Sequence, residues 1–231
     1  MNRLALVGYG RMGHLVADLA PEHGFEVVAK ITSADTAGEG LGPELLAGAE
    51  IAIDFSVAPA VAGNVASLAA LGLPVVVGTT GWGVDLPRVR AAVEQAGSGL
   101  VYGANFSVGV QIFYRLAETA ARLMAGAPEY GAWAHEIHHI KKKDAPSGTL
   151  LELVRRVEQA GFARSLDVAS NRAGAIPGSH LLGFDSEADT ITLEHRARNR
   201  GGFAQGALKA ARWLLGRTGI YEFGEIWEET L

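Results

Sequence analysis

The chain has no cysteine among its 231 residues. Disulfides, thiolate-bound zinc, iron–sulfur centres and every thiolate nucleophile are thereby excluded. Aromatic residues are sparse at 7%, and charged residues account for only 19%. No apolar run approaches the roughly 18 residues of a membrane-spanning helix. The first apolar run, residues 4–7, is too short for a signal peptide and leads straight into glycine. Excess positive charge is also missing: the formal net charge is -5, which argues against a nucleic-acid partner. These absences lead to the expectation of a soluble, cytoplasmic protein acting on small molecules. Hydrophobic residues, at 48%, supply a packed core for one large domain or two small ones.

The first hundred residues alternate short apolar runs with helical patterns. Residues 4–7, 27–31, 51–53, 74–77 and 100–102 read as strands. Residues 11–19, 59–71 and 86–96 read as helices, the second begun by a proline near its first turn. Such alternation predicts βαβ units and a parallel sheet covered on both faces. The pattern changes after Asn105. One long amphipathic helix spans 108–124, with Val108, Ile112, Leu116 and Leu123 among its apolar positions. Strand-like segments follow at 130–137, 166–170, 180–184 and 190–195, interrupted by a helix at 149–159; residues 203–215 return to helix. The expected fold is therefore α/β, a Rossmann-type parallel-sheet domain (1–104 with 207–231) plus a second α+β domain with a mixed open sheet (105–206).

Gly8, Gly10 and Gly13 fit G-x-G-x-x-G between a strand and a helix, which is the context that this motif needs. The first glycine permits the turn, the second admits a pyrophosphate, and the third allows close helix–strand packing. The helix N-terminus then offers free N–H groups and partial positive charge to phosphates. An acid at the end of the second strand would select NADH, but that strand ends Lys30-Ile31-Thr32-Ser33, with no acid before Asp35. Lys30, Thr32 and Ser33 are compatible with a 2′-phosphate, so NADPH or NADH stays open. Gly78-Thr79-Thr80-Gly81 and Asn105-Phe106-Ser107 follow the fourth and fifth strands, where open α/β sheets bind ligands.

Residues 136–149 hold His138, His139, three consecutive lysines (141–143) and Pro146-Ser147-Gly148-Thr149. Adjacent ammonium groups repel, so each is expected to release its proton more easily than an isolated lysine. Ser147, Gly148 and Thr149 open a helix and form a carboxylate-binding nest. Cations, a proton-transfer histidine and an anion nest together suggest a small acidic substrate. No ligand spacing suggests a metal.

These motifs resemble the 4-hydroxy-tetrahydrodipicolinate reductase (dihydrodipicolinate reductase) family over essentially the whole chain. The anchors are Gly10 to Gly13, Asp54-Phe55-Ser56, Gly78 to Gly81, Asn105 to Gly109, His138 to Thr149, and Arg200 with Phe203. The resemblance implies a homotetramer, NADH or NADPH on the first domain, and a small dicarboxylate substrate on the second. It implies that His138 is a proton donor and acceptor and Lys142 a proton donor, while His139, Lys142, Ser147, Gly148 and Thr149 hold the substrate carboxylates. Arg11 and Met12 would meet the cofactor, with Gly78 to Thr80 and Ala104 to Ser107 lining the nicotinamide and Arg200 and Phe203 completing its site. Two departures stand out. The family's G-x-x-G-R-M-G is one residue shorter here, and Ile140 replaces a frequent arginine.

Two other readings remain at this point. One is another two-domain NAD(P) dehydrogenase acting on a different small acid; the other is a nucleotide-sensing module without catalysis. His14, His23, His180 and His195 carry no assigned role, His195 reading as a core histidine. Trp82 reads as packing under the cofactor, Trp133 and Trp213 as core.

Overall fold

A computed structural model describes residues 1–36 and 40–231. Two compact units emerge, residues 1–107 with 201–231, and residues 108–200.

The first unit is a six-stranded sheet. Its strands are β1 (Asn2–Val7), β2 (Phe25–Ile31), β3 (Ile51–Asp54), β4 (Val75–Val77), β5 (Gly99–Tyr102) and β10 (Gly219–Glu222), in the order β10-β5-β4-β3-β1-β2. All five pairings are parallel. β3 and β4 are buried at every position, as strands covered on both faces must be. Helices α1 (Arg11–Leu19), α2 (Ala58–Ala70), α3 (Leu86–Ala96) and α6 (Gly201–Leu214) accompany the sheet. α3 stops at Gly97, whose φ of 60° places it in the left-handed region that closes a helix. A Pro at the start of α2 and another at the start of α3 use the positions where no backbone N–H is needed.

Sequence order reverses between β1 and β3, so the loops leaving these strands open a crevice at the switch point. The sequence pattern does not predict β10: its Gly-Ile-Tyr-Glu run is short, half-exposed and without alternation. α6 runs unbroken from Gly201 and packs on β3, β4, β5 and α1. The junction expected near residue 206 would have cut this helix; the division falls before it. The short α7 (Phe223–Ile226) follows β10.

The second unit comprises residues 108–200. It contains α4 (Val108–Ala125), β6 (Gly131–His138), α5 (Gly148–Gln159), β7 (Leu166–Arg172), β8 (Ser179–Asp185) and β9 (Thr190–Arg196). The sheet order is β7-β6-β8-β9, with β6 and β7 parallel and the other pairs antiparallel, so the sheet is mixed. α4 and α5 cover one face through Phe113, Tyr114, Leu150, Leu153 and Val157, which meet Ala132, Ala134, Leu182 and Phe184.

Three packing expectations need correction. α4 forms as expected, but Ile112, Leu116 and Leu123 are exposed at 44%, 53% and 73%. The helix has apolar side chains on both sides, and the side bearing Phe113, Tyr114, Ala117 and Ala121 faces the sheet. Trp133 is half-buried on the sheet face opposite that core, its ring lying over Gly183, where any side chain would collide with it. Trp213 is likewise outside the buried core, donating to Glu229 at 3.1 Å.

Candidate active site

The first unit supplies a cradle at the carboxyl ends of its strands. Gly8 has φ +89°, and a Cβ there would lie 2.5 Å from the backbone of Phe55 and Ser56. The glycine loop is therefore pressed into the switch-point crevice, and only glycine fits. A Cβ at Gly13 would stand 2.5 Å from the Gly8 carbonyl, while Gly10 has open space in front of it. Gly10 caps α1 with no side-chain hydrogen bond, leaving the first-turn N–H groups of Arg11, Met12 and Gly13 uncapped by any side chain. An open glycine facing such a helix end suits a pyrophosphate. The shortened loop thus still sets an open glycine before an uncapped helix N-terminus.

Asp54, fully buried at the end of β3, organises the neighbouring loops. Its carboxylate accepts from Ser56 N–H (2.8 Å), Ser56 Oγ (2.7 Å), Asn64 Nδ2 (2.8 Å) and Thr79 Oγ1 (3.0 Å). Thr79 is consequently turned inward, Thr80 outward. Gly78 lies against the Phe55 ring, where a Cβ would be 2.2 Å from it. Trp82 is buried in the unit's core and donates to the Thr79 carbonyl at 2.8 Å, so it braces this loop.

In the β5 loop Ala104 is exposed, Asn105 Oδ1 accepts from Ser107 N–H at 2.9 Å, and buried Phe106 packs on Phe223 with ring centres 4.7 Å apart. Phe203 stands half-buried on α6; Arg200 is exposed at the end of the second unit. At the end of β2, Thr32 and Ser33 are exposed, and Asp35 folds back to accept from Thr32 N–H (2.7 Å) and Oγ1 (2.6 Å). A carboxylate therefore does reach the strand end. Lys30 Nζ lies 4.9 Å from the centre of the Tyr9 ring, beside the glycine loop.

The second unit gathers ionisable groups where β6, β7 and β8 meet the head of α5. β6 alternates, so Ala132, Ala134, Glu136 and His138 share its buried face. Glu136 is fully buried. It accepts from Ser147 N–H (2.8 Å), from the Ser147 hydroxyl, and from Arg172 Nη2 (3.0 Å). His138 Nδ1 stands 3.4 Å from this carboxylate and His180 Nε2 3.5 Å. Burial alone would raise the Glu136 pKa; the Ser147 and Arg172 donors outweigh it and hold the carboxyl below its usual value.

Burial pushes His138 down, opposed by Glu136 and reinforced by Lys142 and Arg172. His180 is pushed down to about 4, first by burial and then by His138.

Ser147 caps α5, its Oγ accepting from Leu150 N–H at 3.2 Å. The Ser147 donors are thus committed to Glu136, leaving exposed Gly148 and half-buried Thr149 at the helix head. Tyr114 donates to the Thr149 carbonyl at 3.1 Å and fixes that first turn. His139 is half-buried with Nδ1 unpartnered.

Lys142 corrects the expectation of ammonium repulsion: its Nζ is 2.8 Å from each carboxylate oxygen of Asp144, so its nearest charge is negative. Burial alone would raise the Asp144 carboxyl; the hydrogen bonds and charge of Lys142, helped by Arg172, outweigh it and keep the carboxyl below its ordinary value. Arg172 also donates to the Asp144 carbonyl, tying the loop down from β7. Lys141, Lys143 and Ile140 are exposed.

Glu136, His138 and His180 present ligand-type atoms within 4.8 Å of one another. A cation there would have to displace the Arg172 guanidinium and the Ser147 donors, so the set does not suit a metal. Glu136 and Asp144 lie inside the 136–149 motif but receive no role from the sequence, nor do Arg172 and His180. The available signal was Glu136 itself, an acid in the inward phase of an otherwise apolar strand.

A parallel sheet with a glycine loop at its switch point, joined to a unit rich in imidazole and ammonium groups, defines a two-unit nucleotide-binding oxidoreductase. Two family models match the chain: "Dihydrodipicolinate reductase, N-terminus" over residues 2–106, and "Dihydrodipicolinate reductase, C-terminus" over residues 109–226. The chain belongs to the dihydrodipicolinate reductase family. It is 33% identical over 234 residues to the 4-hydroxy-tetrahydrodipicolinate reductase of Christiangramia forsetii, covering 96% of each chain. It is 38% identical over 192 residues to that of Methanoregula boonei, covering 77% of this chain and 74% of the relative. Among solved structures, a dipicolinate-bound dihydrodipicolinate reductase from Paenisporosarcina sp. TG-14 shares the fold, with TM-score 0.80, 19% identity, and 98% and 99% of the two chains covered.

Proposed function

We propose that this chain reduces 4-hydroxy-tetrahydrodipicolinate, with loss of water, to tetrahydrodipicolinate in the diaminopimelate route to lysine, using NADH or NADPH. The observation that carries the reading is the cluster of His138, Lys142 and the α5 head in a member of this family. Loss of water from the substrate leaves a ring in which C=N is conjugated with C=C. Reduced nicotinamide, when bound, supplies a hydride to the conjugated ring carbon. The displaced electron pair leaves negative charge on the ring, and one proton restores the imine of the product. Lys142, as an ammonium held by Asp144, and His138 are assigned to that proton.

Orientation is the other contribution of the second unit. His139, Lys142, Gly148 and Thr149 are assigned to the two carboxylates, assisted by the N-terminal end of α5. Ser147 serves by shaping that helix head. In the first unit, Gly8, Gly10, Arg11, Met12 and Gly13 are assigned to the pyrophosphate side. Gly78, Thr79, Thr80 and Ala104 to Ser107 form the walls for the nicotinamide, with Thr79 and Phe106 acting from below the surface. Arg200 and Phe203 are assigned to the same cofactor. For the adenosine ribose, Asp35 with Thr32 and Ser33 suits free hydroxyls, and Lys30 suits a 2′-phosphate, so use of both cofactors is expected.

A homotetramer is supported by the sheet face bearing Trp133, Ile137 and Leu181, over which no helix of the second unit packs among the described residues. Among the described residues no helix is long and apolar enough to cross a membrane. A cytoplasmic setting accords with this, with the absence of cysteine and with the supply of reduced dinucleotide.

The test is an assay with freshly generated cyclic imine and each reduced cofactor. Consumption of cofactor, competitively inhibited by pyridine-2,6-dicarboxylate, is expected. Failure with the imine alongside hydride transfer on an amino or hydroxy acid would overturn the reading.

A further inference from the structure

Glu136 has no part in the reaction as assigned above, yet several elements converge on it. Its carboxylate is wholly buried and touches the head of α5 through Ser147, β7 through Arg172, and β8 through His180. On its own strand it faces His138, two residues along. A carboxylate held ionised is only an acceptor. The imidazole nitrogen nearest it, Nδ1 of His138, is buried, lies 3.4 Å from it and makes no hydrogen bond. The negative charge beside Nδ1 favours the neutral tautomer with its hydrogen on Nδ1 and the lone pair on Nε2.

The same carboxylate fixes its other neighbour. The single hydroxyl hydrogen of Ser147 points at Glu136. His180 Nε2, 3.3 Å from that Ser147 oxygen, therefore acts as donor, with its proton on Nε2. Two adjacent imidazoles, with ring centres 5.1 Å apart, are thus biased towards opposite tautomers from one point.

We propose that Glu136 is the positioning residue of this reaction. It sets the His138 tautomer so that Nε2 exchanges the proton, and through Ser147 it holds the helix head that receives the substrate carboxylate. This rests on the function proposed above. Arg172 is the counter-ion that lets a buried carboxylate stay charged, and its second bond, to the Asp144 carbonyl, keeps the Lys142 loop in register with the same centre.

Charge matters here as well as shape. The groups facing His138 are Glu136 on its own strand, Lys142 and Asp144 from the loop, Arg172 from β7 and His180 from β8, with His195 of β9 behind. Of these, Glu136 and Asp144 favour the imidazolium; Lys142 and Arg172 oppose it. Glu136→Gln keeps the side-chain size and an acceptor oxygen while removing the charge. The expected result is a fall in kcat of about 10- to 100-fold, as for other groups that orient a reacting side chain, with KM changed much less. The pH-rate limb belonging to His138 should move to lower pH. Glu136→Asp should restore part of the rate.

A merely structural Glu136 would lower the folded fraction and leave the pH profile of the surviving enzyme in place; that outcome overturns the proposal. The tautomer is read independently of any variant, by long-range proton–nitrogen NMR correlation on the wild-type protein above the His138 titration. Hydrogen on Nδ1 is expected, and hydrogen on Nε2 would overturn the proposal even if the enzyme turns over the imine. Absence of turnover by the wild-type protein would instead count against the function proposed above.

Discussion

The ammonium of Lys142 lies 2.8 Å from both carboxylate oxygens of Asp144. This pair aims the proposed proton donor while its side chain remains 23% exposed. Lys142→Ala is expected to lower kcat by about 10²- to 10⁴-fold, the usual range for a lost general acid. Dinucleotide affinity, followed by cofactor fluorescence, should barely change. An unaltered kcat would remove Lys142 from the mechanism.

Lys30 and Asp35 offer opposite charges at the end of β2. Lys30→Ala is expected to raise KM for NADPH roughly fivefold, the size of one exposed ionic contact, and to spare NADH. Asp35→Ala should act in the reverse sense, improving NADPH relative to NADH. Steady-state kcat/KM for both cofactors decides; identical ratios in wild type and both variants would exclude these residues from cofactor choice.

Gly178 has φ +149°, and a Cβ there would lie 2.8 Å from Nε2 of His138. Gly178→Ala should cost about 1–3 kcal/mol of stability from strain and overpacking. It should also lower kcat by displacing the imidazole while dinucleotide affinity holds. Denaturant unfolding and kinetics on the same preparation provide the check, and wild-type kcat in a folded variant would contradict this placement of Nε2.

His180 links folding to pH. In the folded protein it is pushed down to about 4, below the 6.5 of an ordinary imidazole, so the unfolded chain takes up the proton first as pH falls. The stability contributed by neutral His180 is complete above about pH 6.5 and is lost progressively down to about pH 4, by on the order of 3 kcal/mol at most. Glu136, held below its usual value, loses its contribution in the same direction at lower pH. His180→Asn should flatten the wild-type slope between pH 6.5 and 4.5 in urea unfolding. Equal slopes would show that this imidazole is not kept neutral by the fold.

Local pattern made much of the architecture legible. The sequence pattern places helices at 11–19 and 86–96, the bounds that α1 and α3 adopt, because apolar spacing and flanking glycine agree there. The glycine loop, the histidine pair and the Pro-Ser-Gly-Thr turn were visible as motifs. What escaped depends on partners far along the chain. The pairing of Glu136 with His180 exists only because β6 and β8 lie side by side in one register, and nothing near residue 180 announces it. Asp144 was hidden by the lysines before it, since a charge run does not say which of its members is paired. The buried side of α4 could not be chosen from hydrophobicity because both sides carry it. β10 lacks the apolar run that betrays a strand, its place being made by the free edge of β5.

That sixth strand has a consequence for how the polypeptide reaches its final state. The nucleotide-binding sheet is interrupted after β5 by some ninety residues of another unit and is finished only when α6 and β10 arrive. Until then the outer rim of β5 presents unsatisfied amide and carbonyl groups, the kind of rim that recruits stray strands. Chains cut short ahead of Gly219 should therefore be prone to disordered self-association rather than merely inactive, because the closing stretch replaces the rim of β5 with the short rim of β10.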